Sequence, residues 1–561
     1  MHKQGNLALI GNHNKISGAN EVFLVSNMNL SISAVEFSAL STPTIIGGCI
    51  SGDNIRLTVE DTTWDSTESI VSLLIKNESY FHCTNCSALN NEGILLGATS
   101  GSTVLLQDST FSGNHGIISG VIIAGYDSGF CFLTIDNCIF TDNIGDEDGG
   151  GIYVNGLGTI ATIRNSYFTG NQGAIGGVVS VTDQGKLYMD NVFCDGNYAS
   201  LYGGCVSAQN EGFAWITDST ITNNEAANDG GGVNVYNRSQ LHLLNSNIGW
   251  NTATNGGGVF VDENSVVNMT NIKLNDNHGS TGGGLLLSSA SEACEMTNVT
   301  IVRNTADSSG GMHVKGTILT IRESIISDNE ALSATAGGLG FFDGFVLIMT
   351  DCIVSNNICS DDGGGGAFAD GNATIERVKF QNNVALDEGA GVTIEEDSIV
   401  NFVDCVMSGN IAGSNGGGIQ VEKHGNAKIS RSLIYGNIAY VSGGGIRVGL
   451  NSHLNLLDSH LWNNSAEFQG GGLMIEFDSS GIVDNCTLND NQAPYGGAIT
   501  SGFQSQATIT NCTLLNNSAS LSGGAIYSQN SVVNIFDTIM NHHSAPFGGA
   551  IRMQFESILH M

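Results

Sequence analysis

The side chains with which this 561-residue chain could do chemistry are 53 acids, 13 histidines and 13 cysteines. Four successive copies carry acids at intervals of 25 to 27 residues: Asp343, Asp370, Glu395 or Glu396, and Glu422. If a fold stacked them, their carboxylates would repel, and a hard cation such as Ca²⁺ would relieve the repulsion. Solvent, or the neighbouring Lys423, would do the same. Asp361 and Asp362 form the only bare Asp pair, beside a Gly cluster as Asp146, Glu147 and Asp148 are. Cys83 and Cys86 form one C-x-x-C with His82 before it. No second pair accompanies it, so the four-ligand set of a structural zinc site is missing.

What must position these residues is a repeat. An Asn recurs at Asn114, Asn143, Asn171, Asn197, Asn224, Asn251, Asn277, Asn304, Asn329, Asn357, Asn383, Asn410, Asn437, Asn464, Asn491 and Asn517, and His543 takes its place in the last copy. The 429 residues from Asn114 to His543 hold 16 steps, a period close to 27. Three residues before the anchor every copy is apolar or Cys; two residues after it every copy is small. A Gly cluster follows, then an apolar-x-apolar triplet such as Val259, Phe260, Val261. A second alternating stretch and a short third one complete the copy. Three pieces of period-two alternation per copy are three short strands. None buries a face alone, but stacked in register on its counterparts it does. The fold expected is therefore an all-β, single-stranded parallel β-helix, right-handed, about 27 residues and three strands per coil. About twenty coils at about 4.8 Å would make a rod of roughly 100 Å.

That fold assigns roles. Gly takes the sharp corner, the small residue fits inside it, and the Asn side chains bond from coil to coil as in stacked ladders. A residue repeated in seventeen copies is fold grammar, not an active centre. Cys138, Cys352, Cys405, Cys486 and Cys512 stand five residues before the anchor, where other copies have Ser166, Ser246 or Val299. They read as small core fillers. Cys486 and Cys512 fall on adjacent coils, where in-register stacking leaves their Cβ atoms slightly too far apart for a bridge. The outward positions of the first strand run Tyr153, Ser207, Asn234, Phe260, His313, Thr393, Arg447, Thr500, Tyr527 and Arg552, with no acid pair next to a base.

F-x-x-N stands unmodified at residues 111–114, 140–143, 168–171 and 380–383, and G-G-A-I at 496–499, 523–526 and 548–551. This pairing resembles the repeat of chlamydial polymorphic outer membrane proteins, over about residues 100–561. The resemblance implies a surface-displayed passenger of the autotransporter type, involved in adhesion to a host-cell or matrix ligand, protein or glycan. Residues 101–561 are the regular coils; residues 1–100, which lack the clean anchor, are expected to be degenerate N-terminal coils or a cap. The final residues read as an unfinished, uncapped coil, and the export signal of a surface protein is absent from this segment. A segment of a longer protein is the expectation.

A formal charge of −35 with 18 bases argues against nucleic acid and polyanionic polymers as partners. No apolar run reaches the roughly 20 residues of a membrane span. The expected function is an extracellular or cell-surface structural or adhesin-like β-solenoid without catalysis and without a cofactor, Ca²⁺ apart. The alternative is a polysaccharide lyase or glycoside hydrolase, whose sites on such folds set Asp residues beside Arg or Lys.

Overall fold

A computed structural model of the chain describes residues 6–17, 23–26, 29–38, 50–66, 68–125, 129–289 and 293–561. Its contacts divide into two compact units: Met1–His278 with Ala290–Glu292, and Gly279–Ser289 with Ala293–Met561. All regular elements among the described residues are strands.

One coil of the second unit shows the rule. Ile419–Val421, Asn426–Ser430, Leu433–Tyr435 and Ile438–Ala439 are its strands. Each pairs in parallel and in register with the next coil: Ile419 with Ile446, Ala427 with Leu454, Ile434 with Leu461, Ile438 with Ser465. Ile419, Val421, Ala427, Ile429, Ile434 and Ala439 point inward and are fully buried. Burial of each large aliphatic among them is worth about 1.5–3 kcal/mol. Three short strands were expected and are present; the two-residue piece after the anchor Asn is a fourth.

The first unit repeats this with Val206–Ala208, Phe213–Thr217, Thr220–Thr222 and Glu225–Ala226, in register with Val233, Gln240 and Asn247 at their starts. The pattern reaches below residue 100. Arg56–Glu60 pairs with Tyr80–Thr84, and Thr63–Asp65 with Ser87–Leu89. Asn91 donates through Nδ2 to Asn114 Oδ1 at 2.7 Å, an anchor that spacing alone did not single out. Part of the segment expected as a cap, residues 1–5, 18–22 and 39–49, lies outside the described residues.

The doubled Asn of many copies now has two jobs. Asn223 takes the left-handed corner at φ 54°. Asn224 turns inward, buried, and its Nδ2 donates to Asn251 Oδ1 at 3.0 Å. The same Oδ1 accepts the Asn224 backbone N–H at 2.9 Å. In the second unit the ladder runs from Asn304 through Asn517, whose N–H donates to His543 Nδ1 at 3.1 Å. The Gly cluster is needed where coils close in: a Cβ on Gly444 would lie 2.3 Å from the Ser465 carbonyl oxygen, and one on Gly445 2.5 Å from that of Gly472.

The position five before the anchor is a buried core position, as expected, and where it is Ser or Cys it is also a polar link. Ser432 N–H donates to Ser459 Oγ at 3.1 Å, Ser459 N–H to Cys486 Sγ at 3.4 Å, and Cys486 Sγ–H to the Asp484 carbonyl at 3.1 Å. Ser and Cys alternate there because both accept from one coil and donate within their own. The first strand, in turn, does not face solvent. Ser207, Asn234, Phe260, Thr393, Arg447, Thr500 and Tyr527 are buried. The segment between the small residue and the Gly cluster folds back over them: Thr500 donates to the Tyr495 carbonyl at 2.9 Å, and Ser309 Oγ meets His313 Nδ1 at 3.1 Å.

Candidate functional site

The five-residue strand keeps its outer face open. Lys186–Asp190, Phe213–Thr217 and Gln240–Leu244 lie side by side in the first unit. Leu187, Met189, Ala214, Ile216, Leu241 and Leu243 point into the core, so strand alternation sends Tyr188, Phe213, Trp215 and His242 outward. Register puts Tyr188, Trp215 and His242 in one row, continued by Thr162 on one side and Asn268 on the other. Trp215 and His242 stack at 4.9 Å with 22° between planes. Phe213 stands 5.7 Å from Tyr188 and 5.5 Å from His242. Burial lowers the pKa of His242 from its ordinary value and so favours the neutral ring. On the adjoining short strands Tyr167 and Phe193 sit 6.1 Å apart. Tyr167 is 53% exposed, Trp215 38% and Tyr188 36%. Rings left in water on adjacent coils form the kind of apolar patch that marks a binding surface.

A second constellation, in the second unit, is charged and closed. Arg447 leaves the outer side of Ile446–Val448 and lays its guanidinium across Gly449; a Cβ there would lie 3.3 Å from Nη2. Glu422 and Glu476 occupy the position of Gly449 on the coils to either side. Arg447 Nε donates to Glu476 Oε1 at 2.7 Å, and Nη1 stands 3.6 Å from both Glu422 and Glu388. Lys423 bridges Glu395 and Glu422. Four carboxylates thus share two cations, Arg447 under the covering segments and Lys423 at the surface. Burial pushes the carboxyls of Glu388, Glu395 and Glu476 above the ordinary value, against the pull of Arg447 and Lys423. Burial disfavours the Lys423 ammonium, yet Glu395 and Glu422 hold its pKa above the usual lysine value. Gln420 Oε1 and Arg447 Nη1 are buried without a hydrogen-bond partner.

The structure rearranges the expected cation ladder. Asp343, Asp370 and Glu396 share one left-handed turn position, at φ 54°, 55° and 52°, but the next coil places Lys423 there. Glu422 stands one residue earlier, beside Glu395, and belongs to the Arg447 cluster. Sequence spacing missed this because the turn lengths differ by a residue. Lys315 takes Asp343 at 2.6 Å, so lysines already meet the carboxylates at both ends of the row. Elsewhere Asp361, Asp362 and Asp387 bring one carboxylate oxygen each within 4.8 Å of one another. Burial lifts the Asp362 carboxyl to about 7 while it accepts the Glu388 N–H at 2.8 Å. The C-x-x-C pair is joined as a Cys83–Cys86 disulfide, which removes both sulfurs from metal ligation. Cys486 and Cys512 are free and buried.

Parallel coils of this kind define the class, a β-solenoid. The chain matches the model of the right handed beta helix region over residues 204–368 and 366–538, and it belongs to that family. Residues 137–155 match the Chlamydia polymorphic membrane protein repeat. No curated protein matches the sequence. Among solved structures, the PL6 family alginate lyase AlyGC is 9% identical, over 99% of this chain and 96% of that one, with a TM-score of 0.30. The TibC-catalyzed hyper-glycosylated TibA fragment is 12% identical over 81% and 99%, with a TM-score of 0.20. The A-module of the Azotobacter vinelandii mannuronan C-5 epimerase AlgE6 is 11% identical over 77% and 91%, also at 0.20. Scores this low place no activity on this chain.

Proposed function

We propose that this chain is a surface-displayed or secreted β-helix that binds a ligand on a host cell or matrix and catalyses nothing. The open aromatic rows of the first unit carry this reading: Tyr188, Trp215 and Tyr167 are large rings kept in water where the fold needs only a polar outward residue. The neighbouring copies use Thr134 and Thr162 at the row of Tyr188 and Trp215. The match of residues 137–155 to a polymorphic membrane protein repeat supports the surface setting.

The second reading, an enzyme on a polysaccharide, is favoured by one observation: Arg447 and Lys423 among four Glu on one outer face. The burial of Arg447, Glu422 and Glu476 speaks against it, since a polymer would first have to displace the covering segment.

The test is adhesion of the purified chain to cultured epithelial cells and to immobilised matrix. Tyr188→Thr with Trp215→Thr should abolish it, while Arg447→Met should leave it unchanged where the protein is folded. Undiminished adhesion of the double variant refutes the reading. Release of reducing ends or unsaturated sugars from alginate or pectate, lost in Arg447→Met, would establish the enzyme instead.

A further inference from the structure

We infer that the ligand of the aromatic face is an uncharged saccharide chain, laid along the direction in which the coils stack. This rests on the binding reading above and names its ligand class.

The charge of the face is the first ground. The chain carries −35 overall, yet the charges beside the rings balance: Lys186 and Arg164 stand against Asp136 and Asp190 on the same outer face. Thr134, Thr162 and Asn268 continue the row of Tyr188, Trp215 and His242. Gln240 pairs with Phe213 on the row that begins with Phe132 and Ile160, and Lys186 is the one ionic group in it. Partial burial favours the neutral form of His242. A polyanion would be repelled by the rest of the molecule and find Lys186 and Arg164 here offset by Asp136 and Asp190. A cationic partner would be drawn to the acids of the turns, Asp183, Glu211 and Glu263, and not to this face. Charge therefore matches the face to an uncharged partner.

The chemistry of the face is the second ground. Rings alternate with hydroxyl and amide side chains. A pyranose has the complementary character: a face of C–H bonds that packs on a ring, and an equatorial rim of hydroxyls that bonds to Thr, Asn and Gln. Geometry agrees. Tyr188 to Phe213 is 5.7 Å and Trp215 to His242 4.9 Å, each a step of one coil. That step is comparable to the length of one sugar residue in an extended chain, so successive sugars meet successive coils. Tyr167 and Phe193, 6.1 Å apart on the adjoining strands, offer a second parallel row.

The experiment titrates the full chain, followed by calorimetry and tryptophan fluorescence, with cellohexaose, laminarihexaose, maltohexaose and chitohexaose, and with heparin as the polyanion. Trp215→Thr and Tyr188→Thr are the variants; Thr occupies the same row in neighbouring coils, so folding is preserved, and circular dichroism verifies it. At least one neutral hexaose should bind. Its affinity should fall about tenfold or more in Trp215→Thr and change little on raising NaCl to about 0.5 M. Failure of all four neutral sugars to bind overturns the inference, as does heparin binding that salt abolishes. If cell adhesion still depends on Trp215 while no sugar binds, only the saccharide inference falls. If adhesion is indifferent to both rings, the binding reading falls with it.

Discussion

Replacing Arg447 by Met removes the cation from the centre of the buried cluster while keeping a linear side chain in a row where Met474 is already the next neighbour. Glu476 loses the 2.7 Å bond to Nε, and Glu422 and Glu388 lose the charge 3.6 Å away. Arg447, Glu422 and Glu476 are each less than a tenth exposed, so solvent does not take its place. Breaking a buried pair by removing one partner costs about 3–5 kcal/mol, and that loss is expected at pH 7. The pH dependence fixes the cause. In the native protein Glu388, Glu395 and Glu476 have carboxyl pKa values above the ordinary one. Their contribution to stability is therefore fullest below the ordinary carboxylate range and is lost as pH rises through the folded values. Without Arg447 the values of Glu388 and Glu476 rise further, so these carboxyls take up protons more readily as pH falls and the cost of the substitution shrinks, by about 1.4 kcal/mol for each unit gained. Urea unfolding at pH 5 and pH 8, with hydrogen exchange read over residues 386–476, measures both. Arg447→Met combined with Glu476→Gln should recover part of the loss. A substitution that costs the same at both pH values, or less than about 1 kcal/mol at pH 8, refutes the ionic account of this cluster.

Asn410→Ala removes the oxygen that accepts the N–H and Nδ2 of Asn383, at 3.0 and 3.1 Å. Two buried donors orphaned at about 1–3 kcal/mol each give a loss of about 2–6 kcal/mol in urea unfolding. Cys486→Ser should be nearly neutral, because Ser459 holds the same place one coil away, whereas Cys486→Val should cost about 1–3 kcal/mol by stranding the Ser459 N–H. His115 Nε2–H donates to Asp146 Oδ1 at 2.9 Å, and Nδ1 has Glu92 on its other side at 3.2 Å. The Asp146 hydrogen bond, opposed by partial burial, raises its pKa above 6.5, and an NMR titration should show Asp146→Asn lowering it.

The period, the strands, the corner glycines and the Asn ladder were legible because each is repeated, and repetition exposes position. What was not legible depends on a residue's depth around the coil. The outward residues of the first strand were read as solvent-facing; the covering segment that buries Thr393 and Arg447 has no periodic signature of its own. The Arg447 cluster was missed for a related reason. Its acids, Glu395, Glu422 and Glu476, stand two residues beyond the outward position, and Glu422 had been placed in the turn row with Glu396. The Cys position was seen, but its hydrogen bonds were not, since Ser and Cys alternate there for a reason only the neighbouring coil reveals. The aromatic rows were within reach. Tyr188, Trp215 and His242 all stand nine residues before their anchors, and an alignment of copies on the Asn would have set the three in one column.

The proposed binding runs through the open aromatic face of the first unit. Hydroxyl-radical footprinting of the chain adsorbed on target cells, against the free chain, tests it most directly. Protection concentrated at Tyr167, Tyr188, Phe213 and Trp215, with the region around Arg447 unchanged, is the predicted result. Protection around residues 388–476 with the four rings still fully reactive would contradict it.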